Sequence, residues 1–367
     1  MNSATVKRVD VSAYTIPTDG PEADGTFDWD STTLVLVQVA AGGQVGTGWT
    51  YAAPAVVRLV SDTFAPLLTG QCATDIHGRW DDMVRALRNL GRPGMGSMAL
   101  SAVDCALWDL KARLLQLPLH RLLGAARDAV PLYGSGGFTT YDLNQLERQL
   151  RGWVDDDGLR AVKIKIGQSS GQCVERDLGR TGEAREIVGP DVALFVDANG
   201  GYSVGQAVRV GQDLDQLDVR WFEEPVTSDD LPGLRRVREA CRADVTAGEY
   251  GWDVGYFERM AAAGAVDCLQ VDVTRCGGIT ELMRIAAVAA AHHLDVSGHC
   301  APHEHAPALA AIPNLRHLEW FHDHVRIEGR FFEGATSPTN GVLPLDDSAP
   351  GNGLTWRSID ADRYRVA

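Results

Sequence analysis

Three carboxylates close three successive apolar runs at equal spacing. The runs ALFVDAN, RWFEEP and VTAGE deliver Asp197, Glu223 and Glu249, each 26 residues beyond the one before. A strand and its returning helix take about 30 residues, so this interval suits consecutive βα units. In a parallel barrel the C-terminal ends of neighbouring strands converge on one face, where active sites lie. Three carboxylates gathered there repel one another unless a divalent cation sits among them. All-oxygen ligation points first to Mg²⁺, with Mn²⁺ as the alternative.

Other apolar runs carry further chemistry at their ends. AVKIKIG holds Lys163 and Lys165, two residues apart and so on one side of a strand. Beside a cation and a second ammonium, a lysine pKa is expected to fall, as a base working at neutral pH requires. LQVDV ends on Asp272 and DVSGH on His299, 27 residues later. On neighbouring strands the carboxylate would hold the imidazole, fix its tautomer and raise its basicity. RHLEW puts Glu319 on a last strand, where a protonated carboxyl could donate to a developing oxyanion.

These residues need a scaffold that brings strand ends together. From Val130 onward, short apolar strands alternate with longer amphipathic stretches. VPLYG, AVKIKIG, ALFVDAN, VRWFEEP, DVTAGE, CLQVDV, LDVSGH and RHLEW make eight strand candidates. Eight in alternation with helices predict an α/β fold of the TIM-barrel type rather than an open doubly wound sheet. Before them, strand-like runs such as TTLVLVQVA alternate with polar loops, a helical stretch lies near Ala53–Leu68, and residues 99–117 read as one helix closed by Pro118. The tail from about Gly341, rich in Gly, Pro and Asp, is expected to wrap back over the first part. The expected division is 1–125, 126–340 and 341–367.

Composition narrows the class. A chain of 367 residues with 45% hydrophobic content can bury a large core and more than one structural unit. A net charge of −15 argues against nucleic acid or an anionic membrane as partner. The start, MNSATVKRVDVSAYTIP, shows no apolar signal region, and no apolar run reaches membrane-spanning length. Seven scattered cysteines without a CxxC pair read as reduced thiols in a cytoplasmic protein.

Taken together, Lys163/Lys165, Asp197/Asn199, Glu223-Glu224-Pro225, Gly248-Glu249, Asp272, His299 and Glu319 resemble the mandelate racemase subgroup of the enolase superfamily. The helix carries a second resemblance to the mandelate racemase and muconate lactonizing family: Ala99, Ser101, Ala102, Asp104, Ala106, Asp109, Arg113, Pro118, Leu122 and Gly124 follow its signature. Asp272 stands where the muconate lactonizing and succinylbenzoate synthase branch would carry a lysine, which places the chain on the mandelate racemase side. The resemblance implies an N-terminal α+β capping domain over a modified (β/α)7β TIM barrel. It implies Mg²⁺-assisted abstraction of the proton α to a carboxylate through an enediolate, in a homo-oligomer acting on a small-molecule carboxylate.

Position by position, the resemblance makes Asp197, Glu223 and Glu249 the metal ligands, with Asn199 beside the metal through water. Lys165 becomes the acid/base on one face and His299, oriented by Asp272, the one on the other. Lys163 lowers the Lys165 pKa and touches the substrate carboxylate, which Glu319 also binds. Glu224 orients Lys165 or a neighbouring strand. If the opposite base reprotonates the carbon, the outcome is racemisation or epimerisation. If a 3-hydroxyl departs, the outcome is dehydration to a 2-keto-3-deoxy acid. A non-catalytic ligand-binding homologue is disfavoured, because every position needed for metal and proton transfer holds a competent side chain.

Lids of the cap set specificity in such proteins. Thr18–Asp30 (TDGPEADGTFDWD) is acidic and polar, with Asp28 and Trp29 as substrate candidates, and Gly48–Tyr51 adds Trp49 and Tyr51. A polar lid suits a polyhydroxylated substrate, which favours the acid-sugar dehydratase. His322 is a further substrate candidate. His303, His305 and His324 are expected to reach the pocket or to cap helices, Cys300 and Trp221 to pack, and Gly277-Gly278 to permit a tight turn.

Overall fold

A computed structural model describes residues 4–367. Eight parallel strands form a closed ring in sequence order: β4 (Ala129–Gly136), β5 (Ala161–Lys165), β6 (Ala193–Asp197), β7 (Val219–Glu223), β8 (Asp244–Ala247), β9 (Cys268–Val271), β10 (Asp295–Gly298) and β11 (Leu315–Phe321). Pairing of β11 with β4 closes it. Helices connect each strand to the next on the outside, and helix His322–Phe331 follows the last strand. Three cap strands precede these eight: β1 (Val6–Ala23), β2 (Asp28–Ala41) and β3 (Gln44–Tyr51).

Strand alternation explains the layering. Val162, Ile164, Leu194, Val196, Val245, Leu269, Val296 and Leu318 point outward and are fully buried under the helices. Each such side chain contributes about 1.5–3 kcal/mol on leaving water. The intervening residues point into the ring, where Tyr133, Phe195, Trp221 and Cys268 make a separate inner cluster. Lys163, Gln270 and Glu319 alternate with the outward set and are therefore interior too. Their polarity is an expense tolerated only because the charges meet partners there.

The cap is an antiparallel sheet of β1 (Val6–Ala23), β2 (Asp28–Ala41) and β3 (Gln44–Tyr51), covered by helix Met95–Leu114. That helix starts and stops earlier than residues 99–117. It begins after Gly94 (φ 69°), and Gln116 (φ 55°) breaks it before Pro118 is reached. The Ala53–Leu68 stretch is helical in three joined pieces, with a π-type turn at Val60–Phe64. The tail first adds Val342–Pro344 antiparallel to β4, then crosses to the cap, where Val366 donates to Ala13 O at 2.9 Å. Among the described residues, no helix is long and apolar enough to cross a membrane.

Cap and barrel are tied by polar contacts of the long helix. Asp104, fully buried, accepts from Thr280 N at 2.8 Å and Thr280 Oγ1 at 2.7 Å, at the start of helix Gly278–Ala291. Burial pushes this carboxyl up from 3.8 to about 7, although both Thr280 hydrogen bonds favour the anion. With the folded value above the unfolded one, the folded state binds the extra proton between about pH 4 and pH 7, so stability falls as pH rises through that window. Asp104→Asn is expected to flatten this decline by about one proton's worth of slope. Thermal melts of both proteins across that range check it.

Candidate active site

Backbone register puts the carboxylates side by side. Lys165, Asp197 and Glu223 are paired neighbours at the ends of β5, β6 and β7. Glu249 comes from two residues beyond β8, one step higher along the barrel axis. Gly248 makes that step with φ at +132°, and a Cβ there would lie 2.4 Å from Gln270 O. Asp197, Glu223 and Glu249 thereby bring one oxygen each within 4.8 Å of one another, all buried. Gly248→Ala is expected to cost about 1–3 kcal/mol in backbone strain and to displace Glu249. Calorimetric unfolding, together with a Mg²⁺ titration of the variant, measures both effects.

The donor set fits a hard divalent cation. Glu249 Oε2, Glu224 Oε1 and Asn199 Oδ1 are buried with no hydrogen-bond partner. Burial and the neighbouring carboxylates, Asp197 for Glu223 and Glu249 for Glu224, push both acids up, Glu223 to about 8. Oxygen-only ligands match Mg²⁺ or Mn²⁺ better than a thiophilic ion. Glu223 is held in place from below: Oε1 accepts from Lys163 Nζ at 2.6 Å, and Oε2 from Trp221 Nε1 at 2.9 Å and Gln270 Nε2 at 3.0 Å. Trp221 therefore does more than pack. It lies two residues before Glu223 on one strand, and that period-two spacing was the signal for it. Gln270 stands likewise two residues before Asp272.

The two lysines differ in access. Lys165 lines the cavity and donates to Asp197 Oδ2 at 2.5 Å. Lys163 lies beneath the cavity wall, fully buried, with Glu319 Oε1 at 2.8 Å and Asp197 Oδ2 at 3.5 Å. It braces carboxylates in this arrangement and does not reach the space a substrate would fill. Among the protein's own groups, before any cation is counted, the Lys165 pKa does not fall. Burial and the Lys163 ammonium pull it down, but the Asp197 contact outweighs them and the value is raised. Glu319 departs from expectation in the same way: burial favours its acid form, yet Lys163 and then His299 hold it ionised.

His299 follows β10 and lines the same cavity as Lys165. Its Nδ1 lies 2.8 Å from Asp272 Oδ2, and its Nε2 is 3.3 Å from Glu249 Oε2 and 3.7 Å from Glu319 Oε2. Burial disfavours the imidazolium, and the carboxylates outweigh burial to raise its pKa. Asp272 also accepts from Thr274 N and Oγ1, each at 2.7 Å, and is held below the carboxylate range.

The cavity above these groups has a volume of about 390 Å³. Trp29, Tyr51, Asn199 and Glu249 line it together with Lys165 and His299. His324, one of the histidines expected to reach the pocket or cap a helix, lines it too, and so do Asp24, Tyr250, Arg275, Cys300 and Phe321, which the strand-end pattern did not single out as substrate contacts because most lie in loops beyond the strands. Arg275 bridges Glu249 Oε1 at 3.1 Å and Asp272 Oδ2 at 3.4 Å. His324 stacks on Tyr51 at 3.4 Å and accepts from Ala301 N, and burial keeps it neutral.

Three sequence candidates fall outside this wall. Trp49 is fully buried on β3, donating to Glu328 at 3.2 Å and packing on Phe332 in the cap–barrel seam. Asp28 is exposed on the outer side of the hairpin. His322 turns away to Asp19, 3.1 Å distant. Nor are the lids free loops. Gly48–Tyr51 belongs to β3, and Thr18–Asp30 is the end of the β1–β2 hairpin. Gly25 at its tip sits so close to the barrel that a Cβ would be 2.5 Å from Ile166 O. Asp24 Oδ1 closes the turn by accepting from Thr26 and Phe27 N at 2.6 and 2.8 Å. Glu224 is buried behind the trio. His303 and His305 are buried, bonded to Glu328 and to Val273 N.

A closed parallel barrel with acidic strand ends under an α+β cap is the architecture of the enolase superfamily. Residues 145–360 match the enolase C-terminal domain-like family, and residues 14–124 match the mandelate racemase / muconate lactonizing enzyme N-terminal domain. The chain belongs to the mandelate racemase/muconate lactonizing enzyme family. It is 32% identical over 337 residues to an arabinonate dehydratase of Saccharolobus solfataricus, covering 88% of each chain. A mandelate racemase/muconate lactonizing enzyme-like protein from Rubrobacter xylanophilus superposes with a TM-score of 0.95 at 45% identity, over 99% of this chain and 100% of that one. A racemase from Streptomyces coelicolor A3(2) with bound magnesium superposes with a TM-score of 0.92 at 29% identity, over 98% and 100%. Other relatives include further acid-sugar dehydratases and two sugar-acid cycloisomerases.

Proposed function

We propose that this protein dehydrates an acid sugar to a 2-keto-3-deoxy acid, beginning with removal of the proton α to the carboxylate. One observation carries the reading: Glu249 of the clustered carboxylate trio lines one cavity with Lys165 and with His299, whose Nδ1 is 2.8 Å from Asp272. Asp197, Glu223 and Glu249 would hold Mg²⁺, which supplies Lewis-acid charge for the substrate carboxylate as the α-proton leaves. Lys165 or His299 takes that proton, according to the configuration at C2. On departure of the 3-hydroxyl, His299 returns a proton to it, so water leaves and the enol becomes the 2-keto acid. Asp272 fixes the His299 tautomer throughout.

Dehydration is favoured over racemisation by the wall. Asp24, Ser31, Thr32, Thr33, Asn199 and Arg275 present hydrogen-bonding groups for several hydroxyls. The arabinonate dehydratase relative supports the same chemistry. The second reading, a racemase or epimerase of a 2-hydroxy acid, is supported by the two opposed bases and by the racemase neighbour. Both belong with a small carboxylate substrate, a cytoplasmic homo-oligomer and the division 1–125, 126–340 and 341–367. Incubation with Mg²⁺ and a library of mono- and diacid sugars in D₂O separates them. Keto-acid formation is expected. Deuterium entry at C2 without keto acid would replace dehydration by racemisation, and silence in both channels with every sugar would overturn the acid-sugar assignment.

A further inference from the structure

A second group of metal-competent side chains lies outside the catalytic cavity. Asp19 and Glu22 on β1 and His322, the first residue of helix His322–Phe331, bring one ligand atom each within 4.8 Å of one another. His322 Nε2 is 3.1 and 3.2 Å from the two Asp19 oxygens. Glu22 is 1% exposed. Its Oε2 accepts from Trp29 Nε1 at 2.8 Å, while its Oε1 is buried with no hydrogen-bond partner. Leaving a carboxylate oxygen buried and unpaired is costly.

The surroundings lack the charge to compensate it. Burial, reinforced by Asp323 and Asp19, pushes the Glu22 carboxyl up to about 8. Arg326 offsets part of this, but it is already bonded to Asp323 and to Pro17 O. The adjoining cavity adds Asp28 and Asp30 to the same acidic corner.

We propose that Asp19, Glu22 and His322 form a second cation site, selective for Zn²⁺ over Mg²⁺, that ties the capping hairpin to the barrel. One imidazole nitrogen with two carboxylates is a zinc-type donor set, and solvent at the half-exposed Asp19 leaves room for a fourth ligand. Mg²⁺ prefers oxygen ligands and sheds water reluctantly, so it is the poorer occupant. Occupancy would fix the hairpin that carries Asp24, Phe27 and Trp29 to the cavity, with Trp29 bonded to Glu22 directly.

The test is zinc retention by the stripped full-length protein dialysed against Zn²⁺ in a large excess of Mg²⁺, read by elemental analysis and thermal melting. The wild type is expected to retain one Zn²⁺ per chain and to melt higher for it. His322→Ala and Glu22→Gln should each lose that ion, with affinity falling at least the about 10–100-fold seen for loss of a supporting group. Glu249→Gln, which alters the catalytic trio, should keep it. No retained zinc in the wild type would overturn the proposal, as would zinc that survives His322→Ala but is lost in Glu249→Gln. Should Glu22→Gln fail to fold, the surface variant His322→Ala carries the comparison alone.

Discussion

Lys165→Ala is expected to lower kcat by about 10²–10⁴-fold, the range that a positioned acid/base supplies, with His299→Asn falling as far. The two losses have one cause but different signatures. Each side chain reaches the cavity from a separate strand, Lys165 from β5 and His299 from just beyond β10. Each variant should therefore abolish proton exchange on one face of C2 and leave some exchange on the other. Dehydration itself should fail in His299→Asn with either epimer, since His299 protonates the departing hydroxyl, and in Lys165→Ala with the epimer whose α-proton Lys165 takes. Stopped turnovers followed by NMR in D₂O, with both C2 epimers of one sugar acid, separate base from acid. Full activity in both variants would remove the mechanism. Asparagine suits position 299 because it preserves a polar contact to Asp272 and so isolates the loss of the titrating ring.

Removal of the divalent ion is the second large effect. Chelation is expected to reduce turnover by at least about 10³-fold, because several kcal/mol of charge stabilisation disappear and each 1.36 kcal/mol is tenfold in rate. Mg²⁺ should restore the wild type. It should not restore Glu249→Gln, which weakens the trio at its most accessible member. Yet the chelated protein should stay folded. Lys163 to Glu223 at 2.6 Å and Lys165 to Asp197 at 2.5 Å already provide cationic partners for two of the three carboxylates. Circular dichroism alongside the activity assay checks that activity falls while the fold persists. Global unfolding on chelation would instead assign the ion a structural role. Glu223 is the poorer choice for this substitution. Its loss would take from the fully buried Lys163 ammonium its nearest partner, at 2.6 Å, leaving Glu319 at 2.8 Å and Asp197 at 3.5 Å to hold it.

How much of this was legible in the chain depends on how far each feature depends on local order. The barrel was, because a strand's apolar alternation and the interval of a βα unit are written locally and repeat. The eight runs named from sequence are the eight staves observed. The proximity of Asp197, Glu223 and Glu249 followed from the same regularity, since parallel register turns equal spacing in sequence into adjacency in space. Trp221 and Gln270 were accessible by that rule as well, standing two residues before a site carboxylate on their strands.

What only the tertiary structure decided concerns elements that meet without any fixed interval between them. Trp49 and Tyr51 share one face of β3 and both donate to Glu328, hundreds of residues away; which of them reaches the cavity turns on how far along β3 the cavity opens, and only Tyr51 lines it. Thr18–Asp30 read as an acidic lid, and Gly25 and Thr139 dock its hairpin tip on the barrel. The charge states were equally beyond the sequence. A lysine's pKa is set by contacts of a few ångströms, where the Coulomb term is steepest. Among the protein's own groups, the contact from Lys165 to Asp197 raises a pKa that burial and the Lys163 ammonium alone would lower. Periodicity carries backbone position along the chain; side-chain partners between distant segments are chosen only when the chain has packed.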